Sequence, residues 1–285
     1  MGKNDLALDF YGLDTSRPIV LTARNGETRR LHIGLLKSTD VEVDLLGEAN
    51  NVSSSQPDSR YGLVLDYDID GAAHSSNITF LDGQDTQGVR QEIHVDATYE
   101  ERLNCRYLTP KFDFYASIEG LVNILKNKDE QMLVDALRII EPRLNDFVLS
   151  ESEVLVDIGL PQRIPINMMG DGARKVLALL TTIYECADGI VLVDEISNGF
   201  HHSVMGKVWA AVIKAARKNR VQLFVTTHDI DSIRGLRDAV LNESPRHDDD
   251  VASFKLLKTA DDTLKVYRYS MDGLDYSLNQ NIELR

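Results

Sequence analysis

Residues 189–202 read "GIVLVDEISNGFHH". Four aliphatic residues, Ile190 to Val193, run straight into two acids, Asp194 and Glu195. A short, unbroken apolar run of this kind is the pattern of a strand buried on both faces. Carboxylates are costly to bury without partners. An acid pair at the end of such a strand therefore marks the place where the chain leaves a core for a polar rim. In open parallel sheets, ligands collect outside the carboxyl ends of the strands.

The sequence on either side has the same character. Ser203–Lys218 has helical spacing, with Val204, Val208, Trp209, Val212 and Ile213 on one face. Val221–Val225 is a second apolar strand, ending in Thr226-Thr227-His228-Asp229, and another helix follows from Asp229. Upstream, "MMGDGARK" (168–175) opens a helix over Gly172–Glu185 that turns Val176, Leu177, Leu180 and Ile183 inward, and Val154–Ile158 is a short strand. Apolar strands alternating with helices predict an α/β fold whose parallel sheet is covered on both faces.

Earlier residues follow other periods. Residues 112–141 have helical spacing, with Met132, Leu133, Ala136, Leu137 and Ile140 on one face, and Pro142 stops the run. Residues 1–110 are β-rich. A hairpin spans 18–36 with Asn25-Gly26 at its tip, a pair that tolerates a type I′ turn. Strand-like runs follow at Val41–Leu46, Tyr61–Tyr67, Asn77–Leu81 and Arg90–Val95, with a polar loop at 50–59. The tail, Phe254–Ser270, returns to strand alternation around a turn at 260–262. The organisation predicted is a β-rich lobe over 1–110, a helical segment over 111–150, and an α/β core with a β-rich tail over 151–285.

Composition narrows the function classes. With 31 basic and 45 acidic residues, the net charge of −14 argues against general polyanion binding by bulk charge. Two cysteines, Cys105 and Cys186, give no disulfide framework and suit a reducing cytoplasm. No stretch has the roughly 18 apolar residues of a membrane span, and no secretory signal opens the chain. The two glycosylation-type sequons, at Asn51 and Asn77, are chance occurrences in a cytoplasmic protein.

The polar groups at the strand ends suit a nucleotide. Asp194 could hold Mg²⁺ through water, since that ion takes carboxylate oxygen and water. Glu195 could orient or deprotonate an attacking water, and His228 could sense the terminal phosphate. Glycines at a helix start let N–H groups approach an anion. Each element also has a structural reading: a solvated strand end, a simple turn, a hydrogen-bonded histidine, and core packing for Trp209. Asp194, His201, His228 and Asp229 could instead serve a metal-dependent hydrolase. Order and spacing together favour the nucleotide.

"GIVLVDEISNGFHHSVMGKVW" and "QLFVTTHD" resemble the C-terminal half of an ABC-type ATPase head, most nearly the AAA-labelled ATPases akin to the OLD and RecF/SMC proteins. The resemblance is strong over 153–240 and weaker over 10–150. It implies a P-loop NTPase fold using ATP and Mg²⁺. In it Asp194 is the Walker B aspartate and metal residue, Glu195 the catalytic glutamate and His228 the switch histidine. Ser197 to His201, including Asn198, stand as the D-loop, with Phe200 in place of the commoner leucine. Gly170, Asp171 and Gly172 stand where the signature stands, which completes a partner subunit's site in a head-to-tail homodimer. A partner effector protein, and DNA for the complete protein, are further implied; a membrane is not.

One part of that pattern is missing. The phosphate loop G-x-x-x-x-G-K-[ST] does not occur. Gly2-Lys3 has no glycine frame before it, and Gly206-Lys207 falls inside a helix. The expectation is a chain that lacks the first strand and phosphate loop, through truncation, a mis-set start or degeneration. The missing strand would lie beside Val221–Val225, leaving that strand as an edge and nearby apolar faces uncovered. Such a chain should be marginally stable or aggregation-prone, and should hydrolyse ATP poorly. The alternative is a non-catalytic regulatory or scaffold subunit that keeps the fold.

Overall fold

Every strand and helix of the site region belongs to the second of two units into which the chain divides, 1–101 and 102–285. The computed structural model describes residues 18–25, 27–36, 61–81, 90–101, 103–110, 118–150, 153–243, 247–259, 263–280 and 282. The expected strand at 41–46, the polar loop at 50–59, Gly26 of the hairpin tip and the turn at 260–262 lie outside the described residues.

The first unit is an antiparallel meander, β1 (Ile19–Asn25), β2 (Glu27–Leu36), β3 (Tyr61–Ile69), β4 (Ala72–Leu81) and β5 (Arg90–His94), in that spatial order. β1 and β2 form the expected hairpin, with Asn25 opposite Glu27. β3 and β4 turn through Asp70 and Gly71, both at positive φ (50° and 90°), the geometry of a type I′ hairpin turn. Beside that sheet, Tyr67, His74 and Tyr99 cluster, with ring centroids 5.0–5.4 Å apart.

In the second unit the parallel sheet has three strands: β6 (Cys105–Leu108), β10 (Ile190–Val193) and β11 (Gln222–Val225), with β10 central. Residues 105–108 pair with β10 in parallel, so the α/β unit begins before the boundary at 110 read from sequence. Two short helices, α1 (Ile118–Lys126) and α2 (Gln131–Leu137), occupy the stretch read as one helix. The break holds Lys128 at φ 58°, a left-handed step that no helix continues through. An antiparallel sheet of β7 (Asp146–Ser150), β8 (Glu153–Asp157) and β9 (Ile164–Pro165) follows. Then come α3 (Asp171–Glu185), α4 (Met205–Lys218) and α5 (Ile230–Leu241). The hairpin β12 (Ser253–Lys258) and β13 (Leu264–Tyr269) and a last helix, α6 (Met271–Asn279), close the unit.

The core is continuous through this unit. Val176, Leu177, Leu180 and Ile183 of α3 are all buried, as their spacing predicts, and Val208, Trp209, Val212 and Ile213 of α4 join them. Trp209 donates its indole N–H to Ser232 Oγ at 3.3 Å, which fixes it as a packing residue. Gly206 and Gly235 let α4 and α5 approach closely; a Cβ on Gly235 would lie 2.9 Å from the Gly206 nitrogen.

Full cover of the sheet fails here, while the end position of the strand at 221–225 and bare apolar faces near it are as expected. The parallel sheet is not covered on both faces by the described residues. Val191 and Val193 are buried, but the alternate row, Tyr107, Leu192 and Phe224, is exposed. β11 also stands at one end of the sheet. Its residues Gln222 and Thr226 donate to Gly189 and Val193, so the alternation of a parallel ladder turns the backbone groups of Leu223 and Val225 to an edge that no described strand pairs. A continuous apolar run does not reveal whether both of its faces find cover.

Candidate functional site

Asp194 is the first residue after β10, and Thr226 the first after β11. Because Leu192 pairs with Phe224, extending the register by two residues sets Asp194 opposite Thr226 on the open face. Thr226 Oγ1 donates to Asp194 Oδ1 at 2.5 Å and accepts the Glu195 N–H at 3.0 Å. Tyr107, one row back on β6, places its hydroxyl 3.5 Å from Asp194 Oδ2, a long contact.

At Glu195 the chain takes a left-handed step, φ 52°. A non-glycine residue there costs on the order of 1–3 kcal/mol, and such strain concentrates at functional sites. The turn is held by two bonds, Asn198 N–H to the Glu195 carbonyl at 3.1 Å and Ile196 N–H to the Thr226 carbonyl at 3.3 Å. It brings the Glu195 carboxylate to His228: Oε2 lies 2.8 Å from Nδ1. That contact has the distance of an ion pair without the alignment of a hydrogen bond, and Oε2 is otherwise buried and unpartnered. The histidine ring is largely exposed, at 78%. Asp194, Glu195 and His228 therefore meet at one rim, as the spacing predicts.

The loop that follows is tied down from two sides. Ser197 Oγ meets Thr227 Oγ1 at 3.2 Å, and Thr227 Oγ1 also accepts the Asp229 N–H at 3.1 Å. Lys175, one turn into α3, donates to the Asn198 carbonyl and lies against Gly199, which sits at φ 80°. Burial pushes the Lys175 ammonium pKa down. Gly172 faces the same loop: a Cβ there would come within 3.3 Å of the Gly199 carbonyl. Gly170, at φ 84°, precedes the helix, and Asp171 sits exposed in its first turn, 3.7 Å from Arg174. Gly172 thus brings the start of α3 against the loop 197–200, beside Lys175.

His201 is engaged elsewhere. It caps the short helix 202–204 by accepting from the Ser203 N–H and lies at a tilt against His202, centroids 4.1 Å apart. Among the described residues no cluster of three or more His, Cys, Asp or Glu side chains could hold a metal. Asp194, His201, His228 and Asp229 do not form a joint ligand set, and Asp229 instead caps α5 through the Asp231 N–H at 3.0 Å. Tyr107 lies outside every motif, and Lys175 and Thr226 lie inside "MMGDGARK" and "QLFVTTHD" without a role read for them. Thr226 alone was within reach of the sequence, by running the two-strand register past its last apolar pair.

Residues 116–233, which contain this whole rim, match the model of a family described as an AAA domain, putative AbiEii toxin, type IV toxin–antitoxin system. The chain is 26% identical over 296 residues to a Helicobacter pylori protein named ATP/GTP phosphatase, covering 95% of this chain and 78% of that one. Similar solved structures include an Smc head bound to the C-winged helix domain of ScpA, with a TM-score of 0.41, 12% identity and 75% of each chain covered. Another is the SMC head domain from Thermotoga maritima, with a TM-score of 0.37, 7% identity and coverage of 75% and 76%.

Proposed function

We propose that this chain is the ATP-binding head of an ABC-type protein related to OLD and RecF/SMC ATPases, acting in the cytoplasm in DNA repair or anti-phage defence. The observation that carries it is the meeting of Asp194, Glu195 and His228 at adjacent strand ends. The likeness to a protein named ATP/GTP phosphatase, and to an AAA family described as a putative toxin, supports both the nucleotide and the defence setting. No helix among the described residues is long and apolar enough to cross a membrane.

The donor set fits a hard divalent ion. Asp194 offers a carboxylate whose Oδ1 is already fixed by Thr226, leaving Oδ2 toward the open face. Mg²⁺ takes one or two carboxylates and keeps water, so Asp194 suffices with water between. Bound there, the ion would supply charge neutralisation for phosphate oxygens. Glu195 would accept a proton from water, with its position set by the left-handed turn. His228, paired with Glu195 and open to solvent, would report the terminal phosphate to that carboxylate.

The fit to the triphosphate is incomplete, because the sequence holds no G-x-x-x-x-G-K-[ST] cradle. By this proposal the chain alone turns ATP over poorly. Gly170, Asp171, Gly172, Asn198 and His201 would face the nucleotide of a second copy in a head-to-tail dimer, with an effector protein and DNA as further partners. The missing cradle favours a second reading, a regulatory or scaffold subunit that keeps the fold without catalysis.

Calorimetric titration of the full chain with Mg-ATP separates these. The expected result is weak binding that Asp194→Asn weakens at least tenfold further, with turnover near background. Binding indifferent to Asp194→Asn would refute the site; no binding at all would favour the scaffold. A turnover abolished by Glu195→Gln would keep the site and overturn the expectation of poor hydrolysis.

A further inference from the structure

Four consecutive residues of the acidic strand end, 193 to 196, bond to one residue of the neighbouring strand end. Thr226 N–H donates to the Val193 carbonyl at 2.9 Å, Thr226 Oγ1 donates to Asp194 Oδ1 at 2.5 Å, the Glu195 N–H donates to Thr226 Oγ1 at 3.0 Å, and the Ile196 N–H donates to the Thr226 carbonyl at 3.3 Å. Two of these four are backbone bonds that any residue at 226 would make. The other two need a hydroxyl.

The proton count fixes their direction. A threonine hydroxyl has one hydrogen and two acceptor lone pairs. The Glu195 amide can only donate, so the hydroxyl hydrogen is free to go to Asp194, and the aspartate accepts it as a carboxylate. A single hydroxyl thereby commits Oδ1 of Asp194 and leaves Oδ2, with its long 3.5 Å Tyr107 contact, as the oxygen for a ligand. The same oxygen satisfies the amide of the one strained residue in the loop, Glu195 at φ 52°. An unsatisfied amide there would add to the cost of the left-handed step.

We infer that Thr226 is the positioning residue of this site: its hydroxyl sets the ligand-facing oxygen of Asp194 and holds the left-handed turn that carries Glu195 to His228. This rests on the proposed metal-binding role of Asp194 for its functional half, but not for its structural half. Thr226 touches neither substrate nor metal; it acts through the two acids. Its neighbour Thr227 has a different task, bonding to Ser197 and Asp229. Threonine is required at 226 for its hydroxyl rather than for strand propensity, which valine would serve as well.

The test uses the full chain with Thr226→Val, near-isosteric but without the hydroxyl, and Thr226→Ser, which restores it. Hydrogen exchange at the Glu195 amide, followed by NMR, needs no ligand. It should speed up roughly tenfold in the valine variant, the equivalent of one lost hydrogen bond, and return toward the parent value in the serine variant. Titration with Mn²⁺, read by its EPR signal, should show affinity weakened roughly tenfold by valine and recovered by serine. Thr226→Ala serves in place of valine if the β-branched side chain disturbs the strand. A Glu195 amide that exchanges at the parent rate in Thr226→Val, or equal losses in valine and serine, overturns the inference. If the parent chain binds no Mn²⁺, the proposed metal role of Asp194 falls, and the amide exchange still decides the place of Thr226.

Discussion

The first unit spreads five antiparallel strands over residues 19–94, yet among its described residues only Leu36, Gly62 and Thr79 are buried. Val20, Leu21, Ile93 and Val95 all stand more than half exposed. The second unit threads one apolar cluster from Leu121 through Leu278 and carries the whole candidate site on its rim. The difference concerns what holds each together. Among its described residues the first unit shows ladder hydrogen bonds and a polar-aromatic cluster, His74, Asp96 and Thr98 with Tyr67 and Tyr99. The second relies on packing, which is what keeps a strained turn such as Glu195 from relaxing. A chemical site needs the second kind of support.

Paired substitutions break or sharpen this contrast most strongly. Leu180→Ala opens a cavity at a residue only 1% exposed, and the cost should be about 2–5 kcal/mol. Leu21→Ala, 55% exposed, should shift stability by no more than about 0.5 kcal/mol. Urea unfolding followed by Trp209 fluorescence for the first, and by circular dichroism for both, measures the pair. Equal costs would mean that the first unit has a core of its own.

A smaller effect is expected at the crossing of α4 and α5. Gly235→Ala places a Cβ 2.9 Å from the Gly206 nitrogen and the Met205 carbonyl carbon, both backbone atoms that cannot step aside cheaply. Overpacking of this kind should cost about 1–3 kcal/mol in the same unfolding experiment. An unchanged midpoint would show that the two helices slide freely.

The smallest effect belongs to the first unit and to acid. Donation from Thr98, by hydroxyl first and amide second, and then from His74, holds the Asp96 carboxyl down at about 2, against an ordinary 3.8. A depressed carboxylate contributes stability that is complete above its unfolded pKa and fades as pH falls through its folded one. Loosening confined to the first unit is therefore expected as pH drops from about 4 toward 2. Amide exchange across β4 reads it, and Asp96→Asn should flatten the dependence.

Legibility followed the same division. β10, β11, α3, α4 and the packing role of Trp209 were visible because their apolar periods are set by a core on at least one side. The meeting of Asp194, Glu195 and His228 was visible because strand order in a parallel sheet puts strand ends together. β6 was not, since "CRYL" has no apolar run and pairs with β10 only through backbone bonds. A bare apolar face beside Val221–Val225 was expected from the missing phosphate-loop strand, but not its members Tyr107, Leu192 and Phe224, because residues suited to a buried face look the same when that face is bare. Thr226 was legible only in part: extending the register sets it opposite Asp194, but not the bonds its hydroxyl makes. A hydroxyl joining the Asp194 carboxylate to the Glu195 amide spans strands some thirty residues apart, and nothing in "VTTHD" itself distinguishes the bonding threonine from its neighbour.

The account stands or falls on a divalent ion finding the rim of the second unit. Mn²⁺ in substoichiometric amounts, added with ATP to the isotope-labelled full chain, should broaden the amide signals of 194–195 and 226–228 together and leave β1 and β2 sharp. Broadening centred on the acidic run Asp248–Asp250, or on the first unit, with 194–195 and 226–228 untouched, would contradict it.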